Sequence, residues 1–295
     1  VIDAHLHLWD PQHLRYDWLS HVPNIAGAHT PDDWGRANTG VGRAVFVQSD
    51  CEPGQALAEV DWVSGLRHPA LDIIVIVAFA PLELGERALP HLEALRTRPK
   101  VRGVRRSVQN EADGFITDAA HIDGLIVAAA SGLTIDVCAR ARQLPRVIEA
   151  LTALFHRVPE ARVVLDHLGK PDIAAHGNDI HGDDWATHIG ALAQFPGVSA
   201  KISGLVTEDK WDARRPEVLK AYIHHALTCF GPDRLMFGGD WPVVDLACGY
   251  GQWIETFDHA IAHLDGAAHH AIREGTASKF YTPAARSAAD KEFAA

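Results

Sequence analysis

The order of apolar and amphipathic segments predicts a TIM-type (β/α)8 barrel, an α/β fold, as a single domain over residues 1–295. Three observations carry this expectation. Short β-branched runs alternate with helical stretches along the whole chain. Most of those runs are apolar on both faces, as parallel strands buried between helices and a barrel interior must be. The rival open, doubly wound sheet normally opens on a G-x-G-x-x-G turn, and none is present; Gly249-Tyr250-Gly251 lacks the third glycine and follows no strand.

Taken in order, residues 1–6 are the first strand, with His5 and His7 at its end. Residues 9–42, rich in Trp, Tyr, His, Pro and Asp, are too long for a simple β/α turn and are expected to fold as a lid over the barrel mouth. Strands follow at 43–48, 72–80, 101–107, 134–138, 162–168, 198–204 and 234–239. The helical stretches between and after them are 55–67, 83–98, 122–131, 144–157, 185–195, 215–230 and 250–263. The Ala-rich segment 281–295 reads as a peripheral tail.

A hydrophobic fraction of 47% with 22% charged residues describes a globule with a sizeable core. The formal net charge of −11 argues against nucleic-acid binding and against docking on anionic membranes. No apolar stretch approaches the length of a membrane span. No signal-like leader is visible, and the four cysteines form no C-x-x-C pair or staple-like spacing, so a cytoplasmic location is expected. A homo-oligomer is left open.

In a barrel of this type functional groups gather at the carboxyl ends of the strands. Those ends carry His5 and His7, Gln48, Arg105, Asp136, His167, Lys201 or Ser203, and Asp240. Residues i and i+2 of a strand share a face, so both imidazoles look into one space. Alone the pair says little, because the chain has 19 histidines. Barrel closure sets the last strand beside the first, which brings Asp240 to the pair; two imidazoles and a carboxylate are a common catalytic metal set. Each residue has a plainer alternative: Asp240 as a helix cap before Trp241-Pro242, Arg105 in a structural ion pair, the tryptophans, Trp62 and Trp211 above all, as core fillers. Asp166 is expected to face away from His167 by strand alternation, and a one-residue slip would exchange Lys201 with Ala200.

The ordered set VIDAHLHLWDP, RGVRRS, VVLDHLGKP, KISGL and MFGGDWP resembles the amidohydrolase superfamily. The continuation LRYDWL is similar to its sugar-acid lactonase branch, which acts on L-fucono-, L-rhamnono- and related lactones. The resemblance implies a distorted barrel and one divalent metal, zinc by expectation, held by His5, His7 and Asp240. His167 matches a position that is a ligand in some members and a substrate contact in others. Arg105 stands where binuclear members carry a bridging lysine or glutamate, and Asp136 or Cys138 where others carry a histidine, so no second metal is expected. Three ligands imply weak, even dispensable, metal.

The implied reaction is hydrolysis of a small-molecule sugar lactone. Asp240 is the expected base, and Arg105 or His167 the partner of the carbonyl oxygen. Gln48 and Ser203 are expected to bind hydroxyls, and Trp9, Trp18 and Trp241 to stack on the ring. Of the lid histidines His13, His21 and His29, the last is taken as the one reaching the substrate. The competing readings are a metal-dependent decarboxylase of the same superfamily, a pyrone-dicarboxylate lactonase, which would need several basic side chains, and a non-enzymatic binding module.

Overall fold

The computed structural model describes residues 1–37, 40–210 and 215–282. Eight parallel strands follow one another in sequence order: β1 Asp3–Leu6, β2 Arg43–Val47, β3 Asp72–Phe79, β4 Val101–Arg105, β5 Thr134–Val137, β6 Val163–Leu165, β7 Val198–Ile202 and β8 Leu235–Phe237. The helices, numbered along the chain, are α1 Pro31–Ala37, α2 Ala56–Gly65, α3 Leu89–Arg96, α4 Ala119–Ala130, α5 Leu144–Arg157 and α6 Ile173–His176. They continue with α7 Trp185–Leu192, α8 Pro216–Phe230, α9 Tyr250–Ile261, α10 Gly266–His270 and α11 Thr276–Tyr281. The expected barrel is therefore the observed one, with shorter strands than the apolar runs suggested.

The cylinder closes where β8 meets β1. The Asp240 amide donates to the His5 carbonyl and the His7 amide to the Trp241 carbonyl, both at 2.8 Å. Asp3 reinforces the seam. Its Oδ1 accepts from the amides of His5 (2.9 Å) and Gly239 (2.8 Å), and its Oδ2 from the Tyr250 hydroxyl (3.1 Å). A Cβ on Gly239 would lie 2.0 Å from the Tyr250 ring, so the closing turn needs a glycine there.

Alternation sorts the side chains into two cores. Ala44 and Phe46 of β2, Ile76 and Ala78 of β3 and Ala200 and Ile202 of β7 pack outward against the helices. Ile2, Ala4, Val45, Val47, Val75, Val77, Val164 and Met236 point inward and meet Phe280 and Tyr281 of α11, which plugs the amino-terminal end. Tyr281, placed in the expected tail, is therefore buried barrel core; residues 283–295 and Trp211 lie outside the described residues. Trp62 is half-buried against the core.

The segment after β1 carries α1 and two short 3-10 turns, at Asp17–His21 and Pro23–Ile25. Trp9, Leu14, Tyr16, Leu19 and Ile25 form an apolar cluster of their own with Cys51. Val243 and Leu246, just past β8, pack on this cluster, which brings the segment to the carboxyl side of the barrel.

Candidate active site

His5, His7 and Asp240 converge at the carboxyl end of the barrel. The two Nε2 atoms are 3.1 Å apart, and Asp240 Oδ1 lies 3.5 Å from His7 Nε2 and 3.8 Å from His5 Nε2. All three residues are buried. Strand parity explains the pair, and the backbone closure of β8 on β1 explains the carboxylate. Asp240 itself has a left-handed backbone (φ 56°), which turns its side chain back over the mouth.

The hydrogen-bond partners make this cluster fit a divalent cation. His7 Nδ1 faces the Val47 carbonyl at 2.8 Å, so it carries the proton and leaves Nε2 as a lone pair. His5 Nε2 faces the Arg105 guanidinium, a pure donor, at 3.4 Å, while its Nδ1 lies 3.3 Å from both Asp166 Oδ1 and Lys201 Nζ; with its proton on Nδ1 towards Asp166, it too presents a lone pair at Nε2. Two lone pairs and a carboxylate oxygen thus face one another, an arrangement that repels itself unless a cation lies between. Their spacing is close to the ~3.3 Å edge of a tetrahedral site with metal–nitrogen bonds of about 2.0 Å. A second group, His5, Asp166 and His167, also converges among the described residues. There Asp166 is already engaged by Lys201 Nζ (3.0 Å) and Arg105 Nη1 (3.2 Å).

Asp166 overturns an expectation. It faces inward, with Val164, because β6 keeps its alternation to Leu165. His167 reaches the same space only because the chain then enters a left-handed turn, with φ of 54° at His167, 50° at Leu168 and 47° at Lys170. Gly204 (φ 62°) makes room opposite; a Cβ there would sit 2.4 Å from His167 Nδ1 and 3.0 Å from Asp240 Oδ2. Lys201 is likewise settled: it is fully buried inside the barrel, paired with Asp136 and Asp166, and Tyr281 donates to Asp136 from below.

Electrostatics follow from this burial. Desolvation holds His5 and His167 well below the usual histidine range, so both imidazoles are neutral. Burial pushes the Asp240 carboxyl up, but His167 and His7 outweigh it and the net shift is downward. Burial also works against the charges of Asp166, Lys201 and Arg105. Their mutual attraction wins, with Asp166 well below the carboxylate range and both cations raised.

A cleft opens above the cluster, floored by His7, His167 and Asp240 and walled by Trp18, Ser49, Asp50, Arg105, Asn110 and Lys170. Of the six residues expected to hold substrate, Trp18 alone lines it. Gln48 shares the parity of Phe46, not Val47, and its amide is spent on Asp50. Ser203 is buried beneath His167, its hydroxyl 2.9 Å from Nδ1. Trp9 is buried in the apolar cluster of the segment after β1 with its indole N–H on the Gly27 carbonyl, and Trp241 packs on Trp34 and His29. His29 pairs its backbone with Trp9 and stays behind that wall. Asp50 and Asn110 had no motif to mark them, since loop residues carry no periodicity, and Lys170 stood in VVLDHLGKP without being singled out.

Residues 2–282 match the family model described as amidohydrolase. The chain belongs to the amidohydrolase family. It is 32% identical to the L-fucono-1,5-lactonase of Burkholderia multivorans over 95% of each chain. It is 31% identical to that of Burkholderia ambifaria, covering 86% of this chain and 85% of the relative. A Burkholderia multivorans amidohydrolase solved with bound zinc superposes with a TM-score of 0.83 at 29% identity, covering 96% of this chain and 99% of that one. The resemblance drawn from HLH, DHLGKP and FGGDWP is thus matched across the whole barrel, and the metal-binding geometry is consistent with the family.

Proposed function

We propose that this amidohydrolase opens a sugar-acid lactone, of the L-fucono- or L-rhamnono-lactone type, to the aldonic acid. The observation that carries the proposal is the Asp240 carboxylate, ionised and set against the His5 and His7 imidazoles at the floor of a polar cleft. The similarity to two L-fucono-1,5-lactonases supports the substrate class. His5, His7 and Asp240 would hold a divalent ion, zinc in this reading, which when bound polarises a carbonyl and makes water acidic enough to attack near neutral pH.

The chain's own groups supply the rest. Asp240 takes the proton of the attacking water. Arg105, held at the cleft wall by Asp166 and by the Gln48 carbonyl at 2.7 Å, directs its charge at the oxygen that becomes negative. His167, neutral and backed by the Ser203 hydroxyl, donates from Nε2 to the same oxygen when Nδ1 accepts from Ser203. The ring C–O bond then breaks, and Asp240 returns its proton to the leaving alkoxide. Trp18 offers an apolar face to the ring.

Charge pairing favours a neutral, hydroxylated lactone over a dicarboxylate. The two cations of the cleft wall, Arg105 and Lys170, are already matched by Asp166 and Glu208. The four free cysteines suit a reducing, cytoplasmic setting. A pH-indicator assay with a panel of aldonolactones and 2-pyrone-4,6-dicarboxylate tests the reading. Hydrolysis of L-fucono- or L-rhamnonolactone far above the spontaneous rate is expected, falling on dialysis against a chelator and returning with zinc. Turnover of the dicarboxylate with none of any aldonolactone overturns it.

A further inference from the structure

We infer that Asp50 is the specificity-determining residue of the cleft, its carboxylate binding two adjacent hydroxyls of the substrate ring. The inference rests on the lactone reading above and names the group that would recognise the sugar.

Asp50 stands at the exit of β2, where it forms, with Trp18 and Asn110, the rim between the cleft and an outer hollow that Glu52 and Arg106 help to line. It is exposed to that space, and among the described residues no cation lies within ion-pair distance of it. Its backbone is left-handed (φ 52°), a conformation that a non-glycine residue adopts at a cost and that clusters at binding sites. The strain is held in place from every side. The Gln48 side-chain amide donates to Asp50 Oδ1 at 2.9 Å, and its carbonyl oxygen accepts from the Asp50 amide at 2.7 Å. The next residue back is pinned three times: the Ser49 amide donates to buried Glu59, its hydroxyl donates to the Leu8 carbonyl, and its carbonyl accepts from the Trp18 indole.

The polar groups of residues 48 and 49 are thus committed to the shape of the turn, and only the Asp50 carboxylate is left facing the cleft. A carboxylate without a cationic partner has lone pairs available to hydroxyl donors, and charge-assisted bonds to them are the strong kind. The same indole that locks the turn brings the Trp18 ring beside it, so one wall offers an apolar face and an acceptor pair together. That combination matches a ring with C–H bonds on its face and vicinal hydroxyls at its edge. Oδ1 keeps one lone pair for Gln48 and one for substrate; among the described residues Oδ2 makes no hydrogen bond.

The test compares Asp50→Asn with wild type on L-fucono-1,5-lactone and on δ-valerolactone, which has no hydroxyls. Asparagine can still accept from Gln48 and tolerates the left-handed backbone, so the fold should hold. Asp50→Gly, free of steric strain at this φ, serves as the second variant. The ratio of kcat/KM between the two lactones should fall about tenfold to a hundredfold in both variants, chiefly through KM. A ratio within twofold of wild type, or an equal loss on both lactones, overturns the assignment and leaves the lactonase reading standing. If wild type itself shows no preference for the hydroxylated lactone, the sugar reading fails first and the inference falls with it.

Discussion

Replacing Asp166 by asparagine should destabilise the barrel and weaken its hold on metal together. Inside the cylinder Asp136 and Asp166 balance Lys201 and Arg105, two negative charges against two positive, with His5 neutral. Asp166→Asn leaves one uncompensated positive charge where Asp166 and Lys201 are fully buried and Arg105 nearly so. Breaking a buried pair in this way costs about 3–5 kcal/mol. With about 2.1 cal/mol/K of unfolding entropy per residue over 295 residues, the total is ~0.6 kcal/mol/K, so the melting temperature should drop by roughly 5–8 °C. His5 also loses the carboxylate at its Nδ1, and zinc affinity should fall about tenfold to a hundredfold. Calorimetric melting and zinc titration check both. The control is Asp17→Asn, which removes the exposed Arg15–Asp17 pair and should leave the melting temperature within about a degree of wild type. An Asp166→Asn protein that melts within a degree of wild type and binds zinc as tightly would refute the charge accounting.

Two further outcomes are expected. Asp240→Asn should lower lactone turnover by about three or more orders of magnitude, read by the indicator assay, while circular dichroism and melting stay close to wild type. Buried Glu59 has its carboxyl raised to about 8 by desolvation, with Oε2 unpartnered. A raised carboxyl pKa means the folded state holds a proton that the unfolded state releases, so this group's contribution is full below about pH 4.5 and is lost as pH rises towards 8. Glu59→Gln should therefore remove a slope of about 1.4 kcal/mol per pH unit between pH 5 and 7. Denaturant titrations of the two proteins across that range would show parallel curves if the group is not buried as an acid.

The cluster at the centre of the site was legible because its geometry follows from two simple rules. His5 and His7 share a face by strand parity, and a closed barrel sets its last strand beside its first. Residues depending on where a strand stops were not legible. Asp166 was assigned to the wrong side because the apolar run was read through residue 168, whereas β6 ends at Leu165 and the left-handed turn swings His167 inward as well. Gln48 fails for a similar reason: it stands one residue past the end of β2 and spends its side chain on Asp50. The tryptophans and His29 share their composition with sugar-binding residues, but Trp9 and Trp241 are consumed in packing the segment after β1 against the barrel.

Alternation, apolar periodicity and the placement of polar groups at strand ends are local properties, and from them the barrel, the metal-type triad and the family resemblance were readable in the chain itself. The buried Asp136–Lys201–Asp166–Arg105 network and the rigid turn that presents Asp50 join residues far apart in sequence or depend on left-handed backbone angles. Neither leaves a periodic signature. Only closure of the cylinder, which removes water from its axis and forces each charge to find its partner, decides them.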